Sequence, residues 1–401
     1  MKLKMYIIWH DKDYDLARWV YLNSDLLKTK ERTLLRPIPK TNAKNTILSV
    51  FEDKTDYHIL PVIKYDTPDI IIQHIDEPKD TSRIIFVTEF MTHTPQHHHP
   101  LQRFPRIYGA SKLMIPVALV LPRSKTKLER KNGIYKPVSY KTNPLIYHIF
   151  LRTTKINKNP TLIFLWPEEG GYLKYDKKHQ TAPFIDEQIE RWFYFLNKYL
   201  GNPEYDYTRD KEIMKQKKTM IEISNYQNLS QTELIKEWKQ LYKLKTIRII
   251  KTGKAIKEFR LDVGKLTKEF IDNEFTLIFE PKGLHSPSTP FRTDPYAGML
   301  CAFDNLFCRD EEGNRTVNVI LRAENINYRK VSFREIKHDT KNCPFISIEN
   351  AQKISLEEVK EHLDNCAFTS SKQQRIYGDI ADIIIFDDYI CYKEDENDRR
   401  I

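Results

Sequence analysis

The chain has 401 residues, of which 40% are hydrophobic, 12% aromatic and 30% charged, a composition that excludes a disordered or fibrous protein and is too long for one ordinary core. A formal net charge of +10, from 65 Lys+Arg against 55 Asp+Glu, favours polyanionic partners through counterion release. With only 11 Gly and no Gly-rich phosphate loop or dinucleotide fingerprint, the sequence argues against a nucleotide cofactor.

In chain order, residues 12–28 carry Leu16, Trp19, Val20 and Leu27 at helical spacing, interrupted by Asn23. A polar stretch at 37–46 leads into a dense β region. Strands are predicted at 62–65, 69–75, 83–92, 117–121 and 161–166. Between them, 103–114 has helical character. Pro95, Pro100 and Pro105 confine regular helix to the part beginning near Pro105, after a loop through the histidines. An amphipathic helix over 185–200 closes this half, with Ile189, Trp192, Phe193, Leu196 and Leu200 on its apolar face. The polar stretch 201–218 reads as a linker.

The second half opens on a capping box, Ser230-Gln231-Thr232-Glu233. A strand at 276–279, a Pro/Ser loop through 285–295, an apolar helix at 296–307 and a strand at 318–321 follow. A second capping box is expected at Ser355–Glu358, then a strand at 383–386 and an acidic tail. The expected organisation is a domain over 1–203 and another over 219–401. Five cysteines, Cys301, Cys308, Cys343, Cys366 and Cys391, contain no CxxC pair, so Cys301 and Cys308 read as buried thiols in a reduced, cytoplasmic protein. No apolar run reaches membrane-spanning length, and the first residues lack a leader pattern.

The chemistry concentrates on Asp69 and Glu89, which border consecutive strand-like runs. A hairpin can bring such acids together as an all-oxygen site suited to Mg²⁺. Pro68-Asp69 followed by Glu89 at a strand end, with Gln102-Arg103 on the next helix, resembles the PD-(D/E)xK nuclease superfamily over about residues 45–170. That resemblance implies an α/β restriction-endonuclease-like core, a central mixed sheet flanked by helices, joined here to a second mixed α/β domain for DNA binding or dimerisation. It further implies Mg²⁺ held by Asp69 and Glu89, with Gln102 and Arg103 orienting the site or meeting phosphate. The lysine of the family pattern falls at Met91. His93, Lys64 or Arg103 would supply the missing cation, with His93 taken as the stand-in.

Other features compete. His93, His97, His98 and His99 form a cluster able to bind a metal or lie beside phosphate. Nine cations run from Lys236 to Arg260, opposed by Glu237 and Glu258; the last six recur every third residue, so a helix would gather several on one broad face, a surface for phosphates. Glu280 and Lys282 repeat the Glu-x-Lys half of the nuclease pattern, with Asp262, or Asp379 and Asp382, as partners. The resulting expectation is a Mg²⁺-dependent endonuclease acting on double-stranded DNA, a type II restriction enzyme or related defence nuclease, as a homodimer. The alternatives are a non-catalytic DNA-binding protein on a degenerate nuclease scaffold, or a structure-specific or RNA nuclease.

Overall fold

The computed structural model describes residues 3–9, 14–29, 33–37, 60–63, 65–76, 81–91, 99–123, 125–131, 134–140, 142–166, 185–226, 228–242, 244, 246–281, 296–322, 354–355, 372–385 and 390–393. The chain divides into two compact units, Met1–Asn228 and Leu229–Ile401. Each is a mixed α/β body built on a mixed six-stranded sheet. No helix among the described residues is long and apolar enough to cross a membrane.

In the N-terminal unit the elements run β1 (Leu3–Trp9), α1 (Tyr14–Asn23), α2 (Asp25–Thr29), β2 (Thr33–Pro37), α3 (Leu60–Ile63), β3 (Ile70–Asp76), β4 (Thr81–Phe90), α4 (His99–Lys112) and β5 (Val117–Leu121). A separate hairpin follows, β6 (Lys125–Lys131) with β7 (Ile134–Tyr140). Then come α5 (Pro144–Asn157), β8 (Thr161–Leu165), α6 (Glu187–Gly201) and α7 (Lys211–Ser224). The sheet order is β2-β1-β3-β4-β5-β8. The hairpin β3–β4 is antiparallel, whereas β4, β5 and β8 are mutually parallel. Every residue of β5, Val-Ala-Leu-Val-Leu, is buried, as a parallel strand covered on both faces requires.

An aromatic cluster fixes the end of β4. Phe90 meets Trp166 at 5.4 Å and Trp192 at 5.2 Å between ring centroids, and Trp19 stacks on Trp192 at 5.9 Å. Adjacent strand residues point to opposite faces, so anchoring Phe90 on this side commits Glu89 to the other.

Several expectations need correction here. The helix over 12–28 breaks at Ser24, whose hydroxyl bonds to Asn197 while Asn23 turns back onto the Trp19 carbonyl. Val62 and Ile63, expected to open a strand, belong instead to α3, a helical turn carrying Pro61 near its start, where proline is tolerated. Helix α4 begins at His99, not near Pro105, and runs through that proline. The interior proline forfeits one backbone hydrogen bond. Burial of Leu101, Phe104, Pro105, Ile107 and Tyr108 compensates.

The predicted linker at 201–218 holds a 3₁₀ turn, Tyr207–Arg209, and then the start of α7, which packs on α5 and β8. Ile213 and Met220 face inward, and Gln216 donates to the Ile163 carbonyl while the Met220 sulfur accepts the Ile163 N–H at 3.4 Å. Those two contacts cover an otherwise open sheet edge. Asp210 caps the helix, accepting from the Glu212 and Ile213 N–H groups and from the hydroxyls of Tyr194 and Tyr205. Burial opposes the Asp210 carboxylate. The Tyr205 hydroxyl and the Ile213 N–H nevertheless lead the contacts that hold its pKa below the usual range. Its stabilisation is therefore complete above the ordinary carboxylate pKa and is lost as pH falls through the depressed value. Asp210→Ala is expected to cost about 1–2 kcal/mol near neutrality, read by urea unfolding, with the difference from the parent shrinking below the carboxylate range.

In the C-terminal unit the elements are α8 (Gln231–Tyr242), β9 (Thr246–Lys251), α9 (Thr252–Phe259), α10 (Lys268–Asp272), β10 (Phe275–Glu280), α11 (Tyr296–Phe303), β11 (Val317–Arg322), β12 (Ile354–Ser355), α12 (Lys372–Ile380), β13 (Ile383–Ile385) and β14 (Ile390–Tyr392). The sheet order is β12-β14-β13-β11-β10-β9. The capping box at Ser230 forms as read: Ser230 N–H donates to Glu233, and Glu233 N–H donates to the Ser230 hydroxyl at 3.3 Å. A π-helical turn, Asp304–Cys308, ends the apolar helix early. Ser355 lies in β12, and the rest of that second capping box, like the loop at 285–295 and the acidic tail, lies outside the described residues. Cys301 and Cys308 are buried thiols, and burial pushes the Cys308 thiol well up, away from nucleophilic use.

Candidate metal centre

Strand pairing brings the two predicted acids together. Ile70 stands opposite Thr88 in the β3–β4 ladder, which sets Asp69 across from Glu89. The two carboxylates then exchange backbone contacts. Asp69 N–H donates to Glu89 Oε2 at 3.1 Å, and Phe90 N–H donates to Asp69 Oδ2 at 2.8 Å. Each acid thus closes the end of the other's strand, satisfying an amide that would otherwise be buried without a partner.

The remaining oxygens converge. Arg106 Nη1, from α4, donates to Asp69 Oδ1 at 3.2 Å and to Glu89 Oε1 at 2.9 Å. Its Nε approaches Asp66 Oδ2 at 3.4 Å. One turn earlier on the same helix, Arg103 Nη1 lies 3.3 Å from Glu89 Oε1. Residues three apart share a helix face, so both guanidinium groups reach the acids from one side. Asp69 is 6% exposed and Glu89 is 0% exposed.

Burial pushes the Glu89 carboxyl well above the usual carboxylate range; Arg106 opposes that rise and neighbouring Asp69 reinforces it. The Arg106 guanidinium is also penalised by burial, but Glu89, Asp66 and Asp69 more than offset this and hold it above the ordinary arginine value. The centre is therefore an acid pair that demands a cation and has one.

Helix α4 is held close to α3 at Gly109. A Cβ there would lie 2.8 Å from the Val62 carbonyl oxygen and 3.0 Å from that of Pro61, so only glycine fits. Tyr108 packs on Tyr65 at 5.5 Å beside this contact. Gly109→Ala is expected to push the helix off α3, destabilising the protein by about 1–3 kcal/mol; thermal unfolding would read the loss.

The other predicted positions fare differently. Gln102 is half-buried on α4, and the acids receive Arg103 and Arg106 in its place. Met91 is buried, its carbonyl accepting from Trp166 Nε1 at 3.1 Å, so the position two residues after Glu89 holds a packed thioether. His93, His97, His98 and Lys64 lie outside the described residues; His99 is the first residue of α4. Arg106 was missed, although its spacing from Arg103 was the available signal.

In the C-terminal unit, Glu280 ends β10 buried and pairs with Arg322 Nη1 at 3.3 Å. Asp262 instead accepts the Gly264 N–H in a short turn, and Asp382 accepts the Val319 N–H and pairs with Arg315. Lys282 lies outside the described residues. The basic track is not one helical face. It divides among α8, β9 and α9, because the β-branched run Thr-Ile-Arg-Ile-Ile favours a strand in its middle. Arg248 pairs with Glu258 and Lys251 with Glu274; Lys236, Lys239, Lys254, Lys257 and Arg260 are exposed, while Lys243 and Lys245 lie outside the described residues.

Among the described residues no group of three or more His, Cys, Asp or Glu converges on a metal position. The Asp69–Glu89 pair nevertheless fits a hard cation: two carboxylate oxygens meet at one point that a positive nitrogen fills. Two protein carboxylates, with water and substrate phosphate completing the shell, are a donor set that suits Mg²⁺. Comparison with family models, curated proteins and solved structures gave no match.

Proposed function

We propose that this protein is a Mg²⁺-dependent endonuclease that hydrolyses DNA phosphodiester bonds, with a restriction-endonuclease-like core in the N-terminal unit and a role as a type II restriction enzyme or related defence nuclease. The observation that carries the reading is the convergence of Asp69 Oδ1 and Glu89 Oε1, from adjoining strand ends, on one cation-filled point. Sequence alone offered two acids twenty positions apart; the β3–β4 register supports their acting as a unit.

In this reading Asp69 and Glu89 would hold Mg²⁺, which supplies a lowered pKa for water and neutralises charge on the phosphate under attack. The backbone bonds to Asp69 Oδ2 and Glu89 Oε2 fix the two carboxylates and leave their other oxygens for the cation. Arg103 and Arg106 place positive charge beside the acids, where a phosphodiester oxygen would meet it. The exposed cations of the C-terminal unit would add phosphate contacts that confer affinity without reading sequence. Cutting both strands of a palindrome would call for a homodimer, sharing the two-fold axis of its target.

A second reading, a non-catalytic DNA-binding protein on a degenerate nuclease scaffold, has one observation in its favour: buried Met91 where the family pattern has lysine. Incubation of supercoiled plasmid with the protein, with Mg²⁺ and with EDTA, separates the two. Nicked or linear product with Mg²⁺ alone supports the nuclease; intact plasmid together with a retained gel shift supports the binding protein.

A further inference from the structure

Arg106 occupies the point that a divalent ion would need. Its Nη1 bonds both Asp69 Oδ1 and Glu89 Oε1. The carboxylates cannot simply turn away to open a second position, because their other oxygens are tied to the Phe90 and Asp69 N–H groups. A guanidinium and a metal ion cannot share one pair of oxygens, since each repels the other. What can move is the arginine: its side chain is long and 19% exposed, and it has a further acceptor in Asp66 Oδ2 at 3.4 Å. Arg103, 33% exposed and 3.3 Å from Glu89, is the outer member of the pair and leaves Asp69 to Arg106.

We propose that Arg106 is a resident counter-cation, and that a divalent ion enters the Asp69–Glu89 pair only by displacing it. This inference rests on the metal reading above and adds a competition to it. In the metal-free protein Arg106 bridges two buried acids and helps keep the strand ends closed. On metal entry its guanidinium would give up the two oxygens, keeping Asp66 as its acceptor or pairing with a phosphate. Ion binding is thereby weakened by whatever the arginine contributes to the resting state, and a group that captures the freed guanidinium strengthens it.

The test is Mn²⁺ binding, followed by the loss of the free-ion electron paramagnetic resonance signal, in the full chain and in Arg106→Met. Removal of the competitor is expected to tighten Mn²⁺ about tenfold, inside the range typical of coupled sites. Binding that is equal or weaker in Arg106→Met than in the parent overturns the competition while leaving the metal site standing. Absence of binding in both, with the variant folded, removes the metal reading itself and this inference with it. If Arg106→Met does not fold, the parent protein labelled with ¹⁵N at arginine side chains answers the question. The Arg106 Nε–H signal, assigned by its absence in Arg106→Lys, is expected to shift on Mg²⁺ addition. An unmoved signal at Mg²⁺ concentrations that displace bound Mn²⁺ overturns the proposal, and a parent that binds no Mn²⁺ overturns it along with the metal reading.

Discussion

Arg106→Ala is expected to destabilise the N-terminal unit by about 3–5 kcal/mol, the usual cost of removing one partner from a buried ion pair. The reason is the company it keeps. Arg106 is the shared partner of Asp66, Asp69 and Glu89, and Glu89 has no exposure of its own. Without the guanidinium, two adjacent carboxylates would face each other in a site that already raises the Glu89 pKa by burial. Arg103 reaches Glu89 from farther away and does not pair with Asp69, so it cannot replace its neighbour. Urea unfolding of the parent, Arg106→Ala, Glu89→Ala and Arg106→Ala/Glu89→Ala would reveal the coupling. The double variant should lose less than the sum of the single losses, since it leaves one buried acid in place of two. Strict additivity would mean that the arginine and Glu89 do not stabilise each other.

Asp69→Asn is expected to reduce Mg²⁺-dependent cleavage by about a thousandfold, because a metal ion supplies several kcal/mol of transition-state stabilisation and each ~1.4 kcal/mol is tenfold in rate. The substitution preserves shape. An amide oxygen can still accept the Phe90 N–H, so the strand end stays closed. What changes is the other atom, which becomes an NH₂ aimed at the point where a cation must sit. Loss of cleavage with near-parental unfolding would separate a ligand from a structural cap. Retained cleavage in Asp69→Asn would mean that the acid serves only to close the ladder.

Much of the fold was legible because its signals are local. The runs at β5 and β8 are short, apolar and β-branched, and they emerged at or within one residue of their expected bounds. The α6 stripe and the Ser230 capping box were equally direct, since both depend on residues within a few turns of each other. The failures share a cause. Helix α4 passes through Pro105, and α7 grows from a polar segment, because distant surfaces bury their apolar faces. A basic run with a three-residue period reads as helical, yet its middle joins a sheet whose neighbouring strand β10 lies beyond α9 and α10. Tertiary packing overrides local pattern in each case.

The candidate centre divides in the same way. Asp69 and Glu89 were visible as acids bordering apolar runs, and the hairpin register that joins them was a fair inference from the two strands. Arg106 was not singled out, because its spacing from Arg103 marks a shared helix face but not what that face will meet. Its role is set by α4 reaching the strand ends while it lies against α3, closely enough that Gly109 has no room for a side chain. The same placement turned an expected open acid pair into one bridged by an arginine.

The account stands on a cation site between Asp69 Oδ1 and Glu89 Oε1, and anomalous diffraction from crystals soaked in Mn²⁺ would view that site directly. A peak bonded to both oxygens, with the Arg106 guanidinium moved aside, is the predicted result. Saturating Mn²⁺ with no peak there, and Arg106 still bridging the two acids, would contradict it.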